Sequence, residues 1–185
     1  VYAVIGWITE VVYQAVSKGI VVNRGFLNGP ICPIYGFGSL FVILLVKALG
    51  LDHSSFTADS QVFLLGMMLS TMLELIGGFA LLKIFHARWW DYSNLPLNIN
   101  GRTSVITSIG FGIGAIIMMK CLLPFYEQTL VMIPDIIIAV LCVILVALHS
   151  SDFTLTVSHL TDFQRNIDEM EKAFQSKMTE EVDKL

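Results

Sequence analysis

Long apolar runs divided by short polar loops constrain this chain more than anything else in it. Across residues 61–85 the only charged side chains are Glu74 and Lys83, and the runs 105–125 and 130–148 carry one each, Lys120 and Asp135. About 20 predominantly apolar residues cross a bilayer core as a helix, whose backbone groups bond internally where no water is at hand. Soluble domains are about a quarter charged. Here 14% of residues are charged and 55% are hydrophobic, with a mean hydropathy of +0.74. The sequence therefore reads as an integral membrane protein, and with a net charge of −4 nucleic acid is not an expected partner.

The hydropathy pattern predicts an all-α membrane fold of about five transmembrane helices, over residues 1–22, 34–51, 61–85, 105–125 and 130–148. These form a transmembrane domain, residues 1–149, followed by a C-terminal amphipathic helix, residues 150–185. The first helix reads as trimmed, because the chain starts at Val1 and is already amphipathic by Glu10; it lacks the basic start and cleavage site of a signal peptide. Lys18, Arg24, Lys83, Arg88 and Arg102 flank the loops after the first and third spans, against Lys47 and Lys120 near the other side. The positive-inside bias makes those two loops cytoplasmic, with the N-terminus outside and the C-terminal tail inside. The linkers 52–60 and 126–129 are then external.

Chemistry is concentrated in the two cytoplasmic loops and the carboxylates before them. Loop one, residues 23–36, has too much Gly and Pro for a helix and is apolar for a solvated loop, so it is expected to dip against neighbouring helices. Loop two carries Trp89, Trp90 and Tyr92, an interfacial aromatic set, with Asp91 among them. Glu10 precedes Arg24 by the spacing at which Glu74 precedes Arg88, and Gly36-Phe37-Gly38 has a counterpart in Gly110-Phe111-Gly112. Two hairpins of the same orientation would give a parallel repeat; glycine pairs that serve close helix packing give the same pattern without one.

Glu10 and Glu74 lie mid-span, where a bare carboxylate is costly and needs a proton, a cation or an arginine. They read either as a ligand or proton site or as partners in a packing contact. Arg24, Arg88 and Arg102 bring planar guanidinium groups that suit phosphate or carboxylate, although arginines also gather on that side for topological reasons alone. Asn98 and Asn100 add neutral donors and acceptors beside Arg102. Asp91 is expected to pair with Arg88 or Arg102 or to cap a short helix. With Trp89, these nine residues form the candidate binding set: Glu10, Arg24, Glu74, Arg88, Trp89, Asp91, Asn98, Asn100 and Arg102.

No cofactor and no metal are expected. His53 and His86 have no ligand spacing around them, and Cys32, Cys121 and Cys142 read as packing residues. A phosphate-binding Gly-x4-Gly-Lys-Ser/Thr loop and a Gly-x-Ser-x-Gly nucleophile elbow are both missing.

Residues 152–185 hold eight acids and four bases, which accounts for the whole net charge. Leu160, Phe163, Ile167, Met170 and Phe174 fall at steps of three and four, with Ser150, Ser151 and Asp152 placed to cap a helix. The seam fits a self-associating or partner-binding helix, giving a homo-oligomer, or a helix folded back under the membrane body. Its acidity argues against lying on an anionic leaflet.

The chain resembles a family of small bacterial integral membrane proteins, the CmpB-like type IV ABC-transporter permeases. The resemblance rests on Trp7-x-x-Glu10, on Asn23-Arg24-Gly25-Phe26-Leu27-x-Gly29-Pro30-x-Cys32-Pro33-Ile34-Tyr35-Gly36-x-Gly38, on Glu74, and on Arg88-Trp89-Trp90-Asp91-Tyr92-Ser93 with Asn98-x-Asn100-Gly101-Arg102. It covers about residues 1–125 and leaves the tail outside. It implies transport across the bacterial cell membrane, membrane lipids as surroundings, and a separate ATPase subunit docking on the two loops. The resulting expectation is a permease binding a small or lipid-derived, anionic ligand in a polar intramembrane cavity. The alternative is a membrane-embedded enzyme acting on a phosphate-bearing lipid headgroup at the cytoplasmic face, with Asp91 or a buried Glu as acid–base group.

Overall fold

A computed structural model describes residues 1–51 and 56–182; His53 and the linker around it lie outside the described residues. Six helices follow in order: α1 (Tyr2–Lys18), α2 (Pro33–Ala48), α3 (Phe56–Phe85), α4 (Val105–Ile117), α5 (Leu123–Val131) and α6 (Asp135–Val182), with β1 (Asn98–Ile99) and β2 (Thr103–Ser104) between α3 and α4. Among the described residues, three helical stretches are long and apolar enough to cross a membrane: Thr57–Phe85, Val105–Val131 and Asp135–Thr179. Of the five expected spans, those over 61–85, 105–125 and 130–148 fall largely within these three stretches, whereas α1, of 17 residues, and α2, of 16, are shorter than such a crossing helix. α1 stops at Gly19, whose left-handed conformation lets its N–H bond back to Ala15, ahead of the β-branched run Ile20-Val21-Val22. α2 starts at Pro33, which suits a first-turn position where no N–H is needed.

α3 is the central helix, packed against α2 on one side and α4 on the other. Val42 and Val46 of α2, Val62 of α3, and Ala115, Met118 and Met119 form the buried core. At Gly66 the α3 and α4 backbones approach so closely that a Cβ would stand 2.6 Å from that of Ala115, and Thr71 and Ser108 share a hydroxyl–hydroxyl bond of 2.7 Å within the same seam. Small residues and paired hydroxyls are what hold helices together where lipid offers no hydrophobic drive.

Between α4 and α5 the helix widens into one π turn, Met118–Leu122, closed by Leu123 N–H on Met118 O. Pro124 follows directly and has no N–H to offer the ordinary ladder. Beside this turn Lys120 pairs with Asp59 of α3, and Lys47 of α2 pairs with Glu127 of α5 at 3.4 Å. These two ion pairs tie the helix ends together on the face opposite loops one and two.

The expected break at residue 150 is absent. α6 is one helix of 48 residues, about 72 Å long at 1.5 Å per residue. It contains no Gly or Pro, and Thr154 folds its hydroxyl back onto Ser150 O at 2.8 Å, so nothing interrupts it. Ser150, Ser151 and Asp152 therefore cap no helix. The tail does not fold back under the membrane body either; Phe163, Met170 and Phe174 stand exposed on it.

Loop one, residues 19–32, is irregular yet well satisfied. Asn23 is its organiser: Oδ1 accepts from Trp7 Nε1 at 2.8 Å and from Gly25 N–H at 2.9 Å, while Nδ2 donates to Leu27 O and Asn28 O. Cys32 N–H reaches Ala3 O at 2.9 Å. This is how protein, in place of water, serves a backbone held against helices.

Candidate functional site

Glu10 and Glu74 come from different hairpins and meet in one polar cluster on the loop side. Glu10 is half-buried and accepts a 2.6 Å hydrogen bond from the Tyr35 hydroxyl at the start of α2. Glu74, in the middle of α3, is 3% exposed. The hydroxyls of Thr103, Tyr92 and Thr107 surround it, and it lies within electrostatic range of Glu10. Each acid thus faces hydroxyls at the opening of the helix that follows it in its own hairpin. Glu74 Oε2 and Thr103 Oγ1 are nevertheless buried without a hydrogen-bond partner among the described residues. Native interiors leave few such atoms.

Burial, reinforced by the charges of Glu74 and then Glu10, raises the pKa of the Tyr92 hydroxyl, so it remains a proton donor. Burial likewise pushes the Cys32 thiol up to about 11, with Glu10 adding to the effect and Arg24 opposing it. Arg24 is therefore close to this group, and its Nε is also buried without a partner.

The other two arginines belong elsewhere. None of the three forms an ion pair with Glu10 or Glu74 among the described residues. Arg88 faces Asp91 at 3.7 Å on an exposed turn. Asp91 accepts from the hydroxyl and the N–H of Ser93, and these bonds, the hydroxyl first, lower its pKa below the usual carboxylate value. Arg102 lies over the Phe79 ring, 5.9 Å from its centroid.

The run Asn98 to Arg102 is a β-hairpin. Asn100 and Gly101 have φ of 51° and 69°, and Arg102 N–H bonds to Ile99 O at 3.0 Å. That is an Asn-Gly turn, and with Ile99 opposite Thr103 it closes a hairpin whose loop holds three residues, Asn100, Gly101 and Arg102. Asn98 spends its side chain on the loop: Nδ2 donates to Leu95 O and Ser93 O, and Oδ1 accepts from Gly101 N–H. Trp90 Nε1 bonds Arg102 O at 2.7 Å and pins the hairpin to the end of α3. Trp89 packs at a tilt on Phe26 of loop one (centroids 5.4 Å apart), which also meets Phe85 and Phe153.

Over residues 1–157 the chain matches the family described as "Putative ABC-transporter type IV". The chain belongs to that family. It matches no protein of curated function and no solved structure. The family match runs past the end of the sequence resemblance, through α4 and α5 and into α6, and closes one residue beyond Thr156.

That extension takes in a contact the sequence reasoning missed. Asp152 of α6 accepts from Gly29 N–H at 2.9 Å and Asn28 N–H at 3.2 Å, and Thr156 Oγ1 accepts from Asn28 Nδ2 at 2.9 Å. Phe153 adds its ring to Phe26 between them. Tyr35, Tyr92, Thr103 and Thr107 were also missed; Tyr35 and Tyr92 stand within the quoted motifs, but nothing local marks them as neighbours of a carboxylate. α6 thereby holds loop one, and loop one holds Arg24 beside the two acids.

Proposed function

We propose that this chain is the membrane-spanning permease component of a transporter, and that its ligand sits at the cluster of Glu10, Tyr35, Glu74, Tyr92 and Arg24. The family supports transport. The observation that carries the site is the company kept by three buried partnerless atoms: Glu74 Oε2, Thr103 Oγ1 and Arg24 Nε. A small polar or lipid-derived ligand would satisfy all three, placing an anionic group toward Arg24 and a proton donor toward Glu74. Buried acceptors and donors left open cost stability, so a ligand that fills them binds with matching gain.

The basic residues Lys18, Arg24, Lys83, Arg88 and Arg102 support a cytoplasmic loop face, with the N-terminus outside and the tail inside a bacterial inner membrane. Loops one and two, joined through the Phe26–Trp89 contact, then form the surface on which a separate ATPase would dock. The exposed seam of α6 beyond residue 150 would serve the same partner or a second copy.

The test is a thermal-shift screen of the purified protein against small phosphates, carboxylates and amines, followed by flux of any stabilising compound in sealed vesicles. Stabilisation and flux should both disappear in Glu74→Gln and in Arg24→Gln. A compound that stabilises and moves equally well in both variants would refute the site. Turnover in detergent, with no compartment, would assign the cluster to an enzyme instead.

A further inference from the structure

Along α3, beyond Glu74 toward the loops, three cations share one small region. Lys83 Nζ and Arg102 Cζ each lie 5.9 Å from the centroid of the same ring, Phe79, which is 56% exposed. Arg102 reaches there by laying its stem across Gly78, where a Cβ would meet Arg102 Cγ at 3.3 Å. Arg88 joins Arg102 along a cleft between α3 and the hairpin, walled by Trp89 and Trp90. The enclosed free volume of the cleft is about 10 Å³, room for about one water molecule or one ligand oxygen.

The acid nearby is Asp91, whose Oδ1 is bonded to Ser93 and whose Oδ2 faces Arg88 at 3.7 Å, longer than a hydrogen bond. Lys83 and Arg102 have no carboxylate partner among the described residues. Three cations against one acid leave the patch positive, and Trp89 Nε1 carries no partner among the described residues. Exposed Ile76, one turn from Phe79 on the same face of α3, continues the apolar surface below this basic group. Cations and tryptophans at the edge of an apolar band mark the headgroup level of a bilayer.

We propose that Arg88, Arg102 and Lys83 bind the phosphate of an anionic phospholipid, with its acyl chains along Phe79 and Ile76, which is exposed one turn deeper on the same face of α3. A guanidinium fork from each arginine meets phosphate oxygens, and the indole N–H of Trp89 supplies a neutral donor. Because the cations come from both α3 and loop two, a bound lipid ties the hairpin to the helix. It uses none of the residues of the Glu10–Glu74 cluster.

Native mass spectrometry of the purified full chain tests it, with short-chain phosphatidylglycerol, short-chain phosphatidylcholine and glycerol phosphate as probes. Phosphatidylglycerol is expected to bind at least about tenfold more tightly than either of the others. The double variant Arg88→Gln, Arg102→Gln should lose at least about tenfold in that affinity, while Lys18→Gln, a charge removed from the same face, leaves it unchanged. If the double variant fails to fold, Arg88→Lys and Arg102→Lys keep the charge, lose the fork, and should each weaken binding several-fold. Equal affinity for glycerol phosphate would overturn the lipid assignment in favour of a soluble phosphate. Unchanged phosphatidylglycerol binding in the arginine variants would overturn the site.

Discussion

Replacing Asp152 with alanine removes the acceptor shared by two consecutive loop-one amides, Gly29 N–H at 2.9 Å and Asn28 N–H at 3.2 Å. Hydrogen bonds to a charged group contribute about 1.5–3 kcal/mol each. Asp152 is half-buried, so water recovers part of that sum and the net loss comes to about 2–3 kcal/mol. The loss falls on local opening, because Phe153 still packs on Phe26 and α6 remains helical. At 1.4 kcal/mol per factor of ten, amide exchange at Asn28 and Gly29 should accelerate roughly 30- to 150-fold. Hydrogen–deuterium exchange in detergent micelles reads this directly, with Asp168→Ala, exposed further along the same helix, as the unaffected control. An acceleration under about threefold, with Phe153→Ala releasing the loop instead, would refute the reasoning and assign the junction to aromatic packing.

Two further outcomes are expected. In Gly6→Ala the new methyl group would overlap the Tyr35 ring, costing about 1–3 kcal/mol by overpacking and parting Tyr35 from Glu10; an unchanged melting temperature in detergent would contradict it. Asp91 has its pKa lowered in the folded chain, first by the Ser93 hydroxyl, so the support it lends loop two is present above the unfolded carboxylate value of about 3.9 and is lost as pH falls through the lowered one. Amide exchange at Ser93, extrapolated to a common intrinsic rate, should show that acid loss in the parent and no such step in Asp91→Ala.

Much of the architecture was legible because burial in a bilayer is a property of local composition. The apolar runs around residues 61–85 and 105–125 appear as α3 and as α4 with its π turn and α5, and Glu74 stands out as an acid in hydrocarbon whatever its neighbours. Asn98 to Arg102 is local too: its residue types suggest donors for a ligand, and its Asn-Gly step a hairpin turn, on which the Asn98 side chain is spent because backbone groups at the end of a span must be paired. Ser150 to Asp152 erred the other way. Capping residues stop a helix only where something else does, and no breaker follows them in α6.

By itself, then, the sequence determined a membrane-spanning helical protein with two charged mid-span positions and a basic, aromatic face. Tertiary structure alone decided who meets whom: Glu10 with Tyr35 and near Glu74, Arg24 beside them while Arg88 faces Asp91 and Arg102 lies over Phe79, and Asp152 on an amide 124 residues away. Hydropathy and turn preference act within a few residues and can be read along the chain. Partners brought together by helix packing depend on the angle and depth at which α1, α2, α3 and α6 dock, which no single stretch encodes.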